Sequence, residues 1–300
     1  MKKIFFSLVL LFFTGHLVFA KEAIVYSHLS GDGYWQIWVM DPDGKNQGQI
    51  TTSPQDKRDP TWLAGGAKIA FRTSNSELFG VNLNGQNEIP YLQEYGVVTN
   101  PDFSPARDEI IFVRFEPALD PNGGDVSDIW KWNSEHQRAA MLTQDHRAKY
   151  QPKFSQDGRR IAFVKSDETR ANYHIWMMDT DGGNQKQLTW GTGYDTHPEF
   201  SRDQQSLTFS SNRENGFFDI YVMDLRTDKA RKLTGYQGLD THSSFSLDGE
   251  KIVYVSDRSG AQQIWVMNTD GTNPVQLTFE QGESIDPEWG EIQEGPSSEQ

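Results

Sequence analysis

The sequence contains no cysteine among its 300 residues. This absence excludes disulfide bonds, thiolate metal sites and thiol nucleophiles, so any chemistry must use oxygen or imidazole groups. Positive charge is also scarce, because 28 Lys plus Arg face 42 Asp plus Glu and the formal net charge is -14. A chain with this charge lacks the positive field that gathers phosphates, which argues against nucleic acid and anionic lipid surfaces as partners.

Several enzyme motifs are missing as well. The chain has no Gly-x-Ser-x-Gly elbow, no His-Glu-x-x-His pair, no Gly-x-x-x-x-Gly-Lys loop and no dinucleotide fingerprint. Long hydrophobic segments are limited to the N-terminus, where Lys2 and Lys3 precede a largely apolar run from Ile4 to Phe13. That run is too short to span about 30 Å of hydrocarbon as a membrane anchor, so residues 1–20 are predicted to be a cleaved signal peptide.

One pattern recurs from Lys21 onward: an aromatic inner segment, an Asp-Gly turn, two alternating strands around a variable loop, another turn and then Leu-Thr. The inner aromatic residue occurs six times, at intervals typical of one propeller blade: Trp62, Phe103, Phe154, Phe200, Phe245 and Trp289. Four short strands per copy indicate an all-β fold, a six-bladed β-propeller of four-stranded antiparallel blades.

The two predicted strands of each copy can be placed by their alternating residues. The second strands are expected at residues 23–28, 68–73, 109–114, 160–165, 206–211 and 251–256. The third strands are expected at residues 36–41, 128–133, 174–179, 219–224 and 263–268, with a degenerate copy at 78–83. The first copy lacks an inner strand and Trp289 lies in an extra one, so we predict that N- and C-terminal strands share a blade and close the ring. The propeller would span residues 21–292, followed by a disordered tail at 293–300.

These copies resemble the propeller repeats of the TolB family of the Tol-Pal system. The resemblance rests on the forms Pro-x-Phe-Ser-x-Asp-Gly, Ile-x-Phe, Ile-Trp-x-Met-Asp-x-Asp-Gly and Gln-Leu-Thr, and it covers residues 22–292. It implies a periplasmic protein whose channel mouth receives Pal, a peptidoglycan-associated lipoprotein. The family's N-terminal α/β domain is not expected here. The same repeat also occurs in peptidases, sugar lyases and other exported proteins.

The connections between blades are equal in length. Seven residues separate the end of each copy from a polar residue at the start of the next inner strand: Asp59, Asn100, Gln151, His197, His242 and Asp286. Equal loops place equivalent residues, so we expect these six residues, the polar ring, to surround the mouth of the central channel. Proline follows in five copies, which predicts an extended backbone at the ring residue.

The polar ring allows several chemistries. Asp286, Asp59 and Asn100 offer oxygen ligands to a hard cation, which predicts calcium in the channel. The two histidines with an aspartate would instead suit zinc or manganese. A third interpretation is that polar side chains only hydrate a water-filled channel.

Aromatic residues accompany the ring in the same connections. Tyr150, Trp190, Tyr194 and Tyr236 would anchor a docked partner at the mouth. The alternative is that these side chains fill the wedge between neighbouring blades.

Together these features predict a non-catalytic protein-binding module of the cell envelope, monomeric and periplasmic, with no membrane span after signal cleavage. The expected partner is a Pal-like lipoprotein that docks at the channel mouth. The alternative is a metal-dependent propeller enzyme, lactonase-like or polyuronate-lyase-like, with its site in the same mouth. A uronate site needs cations, and the nearby ones could equally balance neighbouring acids: Lys57, Arg58, Arg147 and Lys149.

Overall fold

The computed structural model describes residues 20–63, 65–116, 126–145 and 147–293. The predicted signal peptide up to residue 19 and the predicted tail from residue 294 lie outside the described residues.

The described chain contains twenty-four strands and one 3-10 helix (Gln93–Tyr95), joined by turns and loops. In chain order the strands are β1 (Ala20–Leu29), β2 (Trp35–Met40), β3 (Gly48–Gln49), β4 (Lys57–Trp62), β5 (Lys68–Thr73), β6 (Leu78–Asn82), β7 (Ile89–Tyr91), β8 (Thr99–Phe103), β9 (Glu109–Glu116), β10 (Val126–Asn133), β11 (Arg138–Met141), β12 (Lys149–Phe154), β13 (Arg160–Ser166), β14 (Tyr173–Asp179), β15 (Lys186–Gln187), β16 (Asp195–Phe200), β17 (Ser206–Ser211), β18 (Asp219–Asp224), β19 (Lys229–Lys232), β20 (Asp240–Phe245), β21 (Lys251–Ser256), β22 (Gln263–Asn268), β23 (Val275–Gln276) and β24 (Ser284–Gln293).

The strands form six four-stranded sheets, which we number as blades 1 to 6 around the ring. Within each blade the strands are given from the innermost to the outermost. Blade 1 is β24-β1-β2-β3, and blades 2 to 6 begin with β4, β8, β12, β16 and β20 and follow the chain order. All neighbouring strands within the blades pair antiparallel. The predicted six-bladed propeller is therefore confirmed, and the degenerate second copy still supplies a strand, β6.

The ring closes through blade 1, as predicted. β24 and β1 pair from Ala20 opposite Gln293 to His28 opposite Ser284, with Trp289 opposite Ile24. The ladder continues one residue beyond each predicted limit, because Ala20 and Gln293 form a further antiparallel pair. Gln293 is thus strand and not tail.

A threonine ends most blades for a specific reason. In the first blade Thr51 Oγ1 accepts the N–H of Ile37 at 3.0 Å and donates to Gln36 Oε1 at 2.8 Å. The same hydrogen bond, from an isoleucine N–H to a threonine Oγ1, recurs in blades 3 to 6. Each Leu-Thr unit therefore fastens the end of its outer segment to the third strand of its own blade.

The hydrophobic core is divided among the blade interfaces. Six buried clusters occur in the described chain, one between each pair of neighbouring blades. Alternation along a strand sends successive residues to opposite neighbours: Ile24 and Tyr26 pack against blade 6, whereas Val25 packs against blade 2. Every blade thus depends on both of its neighbours for burial of its two faces.

No helix long and apolar enough to cross a membrane occurs in the part of the chain that is described.

A glycine in blade 2 tests how tightly the closing strand is held. An alanine Cβ at Gly66, where φ is +65°, would lie 1.8 Å from the carbonyl oxygen of Glu291 in β24. Gly249 occupies a hairpin turn of blade 6 with φ +73°, and an added Cβ there meets nothing within 4 Å. We expect Gly249→Ala to lower the free energy of unfolding by about 1 kcal/mol through its positive φ alone.

Gly66→Ala should cost roughly 2 kcal/mol more than this control, because a backbone atom must also move. Chemical denaturation of both variants measures the difference. Equal losses would show that the turn of blade 2 is not pressed against the closing strand.

Candidate functional site

The polar ring lines one cavity at the centre of the propeller. This cavity has a volume of ≈ 370 Å³, and its walls include all six ring residues: Asp59, Asn100, Gln151, His197, His242 and Asp286. The structure thus brings together side chains that are up to 227 residues apart in the chain, such as Asp59 and Asp286.

The backbone at the ring differs from the expectation. All six ring residues have positive φ, between +46° at Asn100 and +53° at Asp286. The extended conformation predicted from the following proline is therefore wrong. The reason is that the ladder between inner and second strands is interrupted at the same place in every blade, so each ring residue occupies a β-bulge. Bulges re-aim side chains, and Asn, Asp and His tolerate this left-handed region best.

The bulges free backbone N–H groups that bond across blades. His197 N–H donates to Gln151 Oε1 at 2.8 Å, from blade 5 to blade 4. Asp59 N–H lies 3.4 Å from Asp286 Oδ2, from blade 2 to blade 1. Ring side chains therefore satisfy backbone groups that would otherwise be orphaned at the channel.

The two ring histidines lie against each other. Their ring centroids are 3.5 Å apart with an interplanar angle of 39°. Gln151 Nε2 lies 2.6 Å from Nε2 of His197 and, as an amide, can only donate, so this imidazole nitrogen is the acceptor. Burial, His242 and Lys153 hold the pKa of His197 well below its usual range. His197 is therefore neutral at ordinary pH.

His242 completes the chain of contacts toward the acids. Its Nε2 lies 3.3 Å from Asp286 Oδ1. Burial, followed by the neighbouring Asp59, raises the pKa of Asp286. The second oxygen of this carboxylate accepts a bond from Ser27 at 3.2 Å. The ring thus forms a connected polar belt from Gln151 to Asp59.

Arg72 also lines the cavity and contacts the ring. Arg72 donates to Asp59 Oδ2 from Nε at 2.8 Å and from Nη2 at 2.7 Å. A cation bound by Asp59 would have to compete with this guanidinium, and no group of three or more His, Asp or Glu in the described chain is arranged to hold a metal. The predicted calcium set Asp286, Asp59 and Asn100 therefore stays a prediction.

A second tier of polar residues lies one step deeper in the channel. Its members follow each ring residue by two positions: Thr61, Asp102, Lys153, Glu199, Ser244 and Glu288. Four of them line both the mouth cavity and a second cavity of ≈ 490 Å³ toward the opposite face: Thr61, Lys153, Glu199 and Glu288. The second tier therefore divides the channel in two.

Lys153 is the centre of the second tier. Its Nζ lies 2.7 Å from Glu288 Oε2, 3.0 Å from Asp102 Oδ1 and 3.7 Å from Glu199 Oε2. Desolvation by burial raises the pKa of Asp102 to about 6, although Lys153 opposes the shift. Burial, together with Glu288 and Asp102, raises the pKa of Glu199 as well. One cation thus serves three carboxylates, and burial favours the protonated form of two of them, Asp102 and Glu199.

Sequence reasoning missed this tier, although a signal existed. Residues two apart on a strand share a face, so polar residues two positions after the ring point to a second set in the channel. They also join blades: Phe154 N–H donates to Asp102 Oδ2 at 2.8 Å, and Trp62 N–H donates to Glu288 Oε1 at 3.0 Å.

The four predicted aromatic anchors lie outside the cavity wall. Trp190 is 58% exposed and Tyr236 is 36% exposed. Tyr150 and Tyr194 belong to a row of four aromatic rings that crosses blades 3, 4 and 5, which we call the aromatic strip. The centroid distances along it are 6.1 Å from Phe115 to Tyr150, 5.9 Å to Tyr173 and 5.3 Å to Tyr194.

Removal of the central cation gives a prediction for stability. Lys153→Met leaves three partly buried carboxylates with no counter-charge, and we expect the free energy of unfolding to fall by about 3 kcal/mol at pH 8. A carboxyl whose folded pKa is raised, such as that of Asp102, favours folding below its ordinary pKa near 4, and the benefit is lost as pH rises through about 6. The loss in Lys153→Met should therefore be smaller at pH 5.

Lys186→Met is the matched control, because its ion pair with Asp228 at 2.7 Å is exposed on the outer strand of blade 4. That variant should change stability by less than about 1 kcal/mol at either pH. Urea unfolding at pH 5 and pH 8 gives the four values. A pH-independent loss in Lys153→Met would contradict the proposed charge balance.

The chain is similar in sequence to a TolB homolog and to a dipeptidyl-peptidase. The chain is 28% identical over 277 residues to a protein TolB homolog of Chlorobium luteolum, covering 92% of this chain and 61% of that protein. It is 22% identical over 230 residues to dipeptidyl-peptidase 5 of Porphyromonas gingivalis, covering 61% of this chain but 34% of that protein. The chain thus spans less than two thirds of the length of these curated relatives.

The crystal structure of TolB from Acinetobacter baumannii superposes with a TM-score of 0.74 at 20% sequence identity, covering 89% of this chain and 66% of that one. This likeness concerns the fold. The TolB beta propeller domain family matches residues 72–217 and 213–294, which is most of the chain. The chain belongs to the TolB beta propeller domain family.

Proposed function

We propose that the chain is a non-catalytic protein-binding module of the cell envelope and that its partner docks at the channel mouth. The observation that carries the proposal is the aromatic strip, four rings in series that begin and end with exposed side chains, Phe115 at 42% and Tyr194 at 41%. Tyr150 in the strip directly precedes the ring residue Gln151. An apolar strip beside a polar cavity has the anatomy of an interface, in which aromatic anchors are flanked by hydrogen-bonding groups.

The faces of the propeller differ in a way that supports this site. The Asp-Gly turns of the opposite face repeat with positive φ, as at Gly44, Gly158, Gly182, Gly249 and Gly271. The mouth face carries connections that differ in sequence from blade to blade. Binding usually resides on variable loops held by a rigid scaffold.

Membership of the TolB propeller family makes a Pal-like lipoprotein the first partner to test and the periplasm the expected compartment. The net charge of -14 favours a partner whose docking surface is basic overall. We expect the chain to be a monomer before it meets this partner.

Capture from the envelope fraction of the producing cell tests the docking face. Tyr194→Ala removes an exposed ring from the strip, and we expect recovery of the specific partner to fall at least about tenfold, as for a hot-spot aromatic. Ile89→Ala is the control, because Ile89 is 42% exposed but lies on the outer strand β7. That variant should recover the partner like the wild type.

Equal recovery by wild type and Tyr194→Ala would contradict docking on the aromatic strip. Melting curves of both variants check that each retains the fold. His197→Ala adds a test of the ring itself, but it also removes a buried polar contact and therefore needs the same folding check.

A second candidate function, a polyuronate lyase or lactonase in the same mouth, is favoured by one observation. Arg58, which the sequence placed near the mouth, and Arg72, which it did not, both line the cavity that holds the two histidines. Guanidinium groups neutralise a uronate carboxylate and an imidazole can accept a proton, as an elimination requires.

Turnover of lactone and polyuronate panels distinguishes the two functions. The binding module is expected to show no turnover, with or without added divalent metal or chelator. Turnover that follows the bound metal and is lost in His242→Ala would replace the proposed function with the enzyme.

A further inference from the structure

Two arginines face each other across the first two strands of blade 2. Arg58 in β4 and Arg72 in β5 are direct register partners, so their side chains leave the same face of the sheet. Both line the mouth cavity. Like charges directly opposite each other on neighbouring strands destabilise a sheet unless anions compensate them.

Within the described part of the chain, only one of the two guanidiniums has a carboxylate partner. Arg72 makes two short bonds to Asp59. Among the described residues no carboxylate lies within ion-pair distance of Arg58, which instead places its guanidinium carbon 4.2 Å from the ring centroid of Trp35. Of the two acids next to Arg58 in sequence, Asp59 is the partner of Arg72. The other, Asp56, accepts the N–H of Trp35 at 3.1 Å. Among the residues that the structure describes, the pair therefore carries one positive charge that no ion pair compensates.

The stacking prepares Arg58 to bind an anion. A guanidinium held over an indole can keep N–H donors available at its edge, and it loses less conformational entropy on binding than a free side chain would. Since Trp35 is buried at 7% exposure, it is a rigid support. The planar fork of arginine matches a carboxylate, which can accept two parallel hydrogen bonds.

We propose that Arg58, supported by Trp35 and Arg72, is a carboxylate-binding subsite of the channel mouth and that it receives an Asp or Glu side chain, or the C-terminal carboxylate, of the docked protein. This inference rests on the proposed function. A singly charged carboxylate is favoured over a phosphate, because the cavity walls also carry Asp286 and Glu288, which repel a dianion.

The subsite refines the expected charge of the partner. The surface as a whole attracts a basic protein, whereas the blade 2 side of the mouth selects an acidic group within it. Such a mixed pattern fixes the orientation of a partner more than it adds to affinity.

A pair of small probes tests the subsite without the partner. We would titrate the full chain with N-acetyl-glutamate methylamide and with its glutamine counterpart, and follow the Arg58 Nε–H signal by NMR. The glutamate probe should shift this signal with a millimolar dissociation constant, and the glutamine probe should not. Arg58→Gln should weaken binding at least about tenfold, since charge-assisted hydrogen bonds are lost.

Arg58→Lys should retain part of the affinity, because lysine keeps the charge but lacks the fork. Arg226→Gln is the control: its side chain is 79% exposed in the turn after β18 and binds Asp224, so this variant should bind the probe like the wild type. Equal binding of both probes, or unchanged binding in Arg58→Gln, would overturn the subsite. Stronger binding of digalacturonate than of the glutamate probe would overturn a protein carboxylate as occupant.

The subsite and the proposed function can fail separately. If envelope capture yields a partner but the glutamate probe does not shift Arg58, the subsite is wrong and the binding module stands. If the probe binds at Arg58 and no partner is captured, Arg58 still binds carboxylates, but the docked protein as their source falls together with the proposed function.

Discussion

The antiparallel ladder between β24 and β1 is the contact on which the rest of the structure depends. Each blade sends alternate side chains to its two neighbours, so an open array would expose an apolar face at each end. Pairing of Ile24 with Trp289 puts the last strand inside the first blade and covers both faces at once. Closure also creates the channel, because inner strands surround a common axis only when the ring is complete.

The six bulges orient the ring side chains at the mouth and also supply hydrogen bonds between neighbouring blades. A non-glycine residue with positive φ costs about 1 kcal/mol, and the chain accepts that cost at the same position in all six blades. The bulge turns each ring side chain into the cavity and frees a backbone N–H, which at Asp59 and His197 meets a side chain of the neighbouring blade. Ring residues therefore serve the fold as well as any ligand, whereas Tyr194 and Arg58 can be altered with less effect on closure.

Sequence reasoning predicted the architecture because repeated local signals agreed. Alternating strands, Asp-Gly turns and equal connections all pointed to six blades, and the seven-residue spacing placed residues as distant as Asp59 and Asp286 in one ring. It failed where one residue shifts the register, because the bulge overrode the expected effect of proline at Asn100. The polar tier around Lys153 was missed although its spacing of two residues from the ring was a readable signal. The pairing of Arg72 with Asp59 and the aromatic strip depend on side-chain directions across strands and blades, which spacing along the chain does not specify.

We propose that closure of the ring builds a docking face at the mouth. Hydrogen–deuterium exchange of the full chain, with and without the captured envelope partner, can test this proposal. We expect slower exchange in the connections that carry Tyr150 and Tyr194 and at the start of β4, with no change at the Asp-Gly turns of the opposite face. Slower exchange confined to those turns, or to the outer strands, would contradict it.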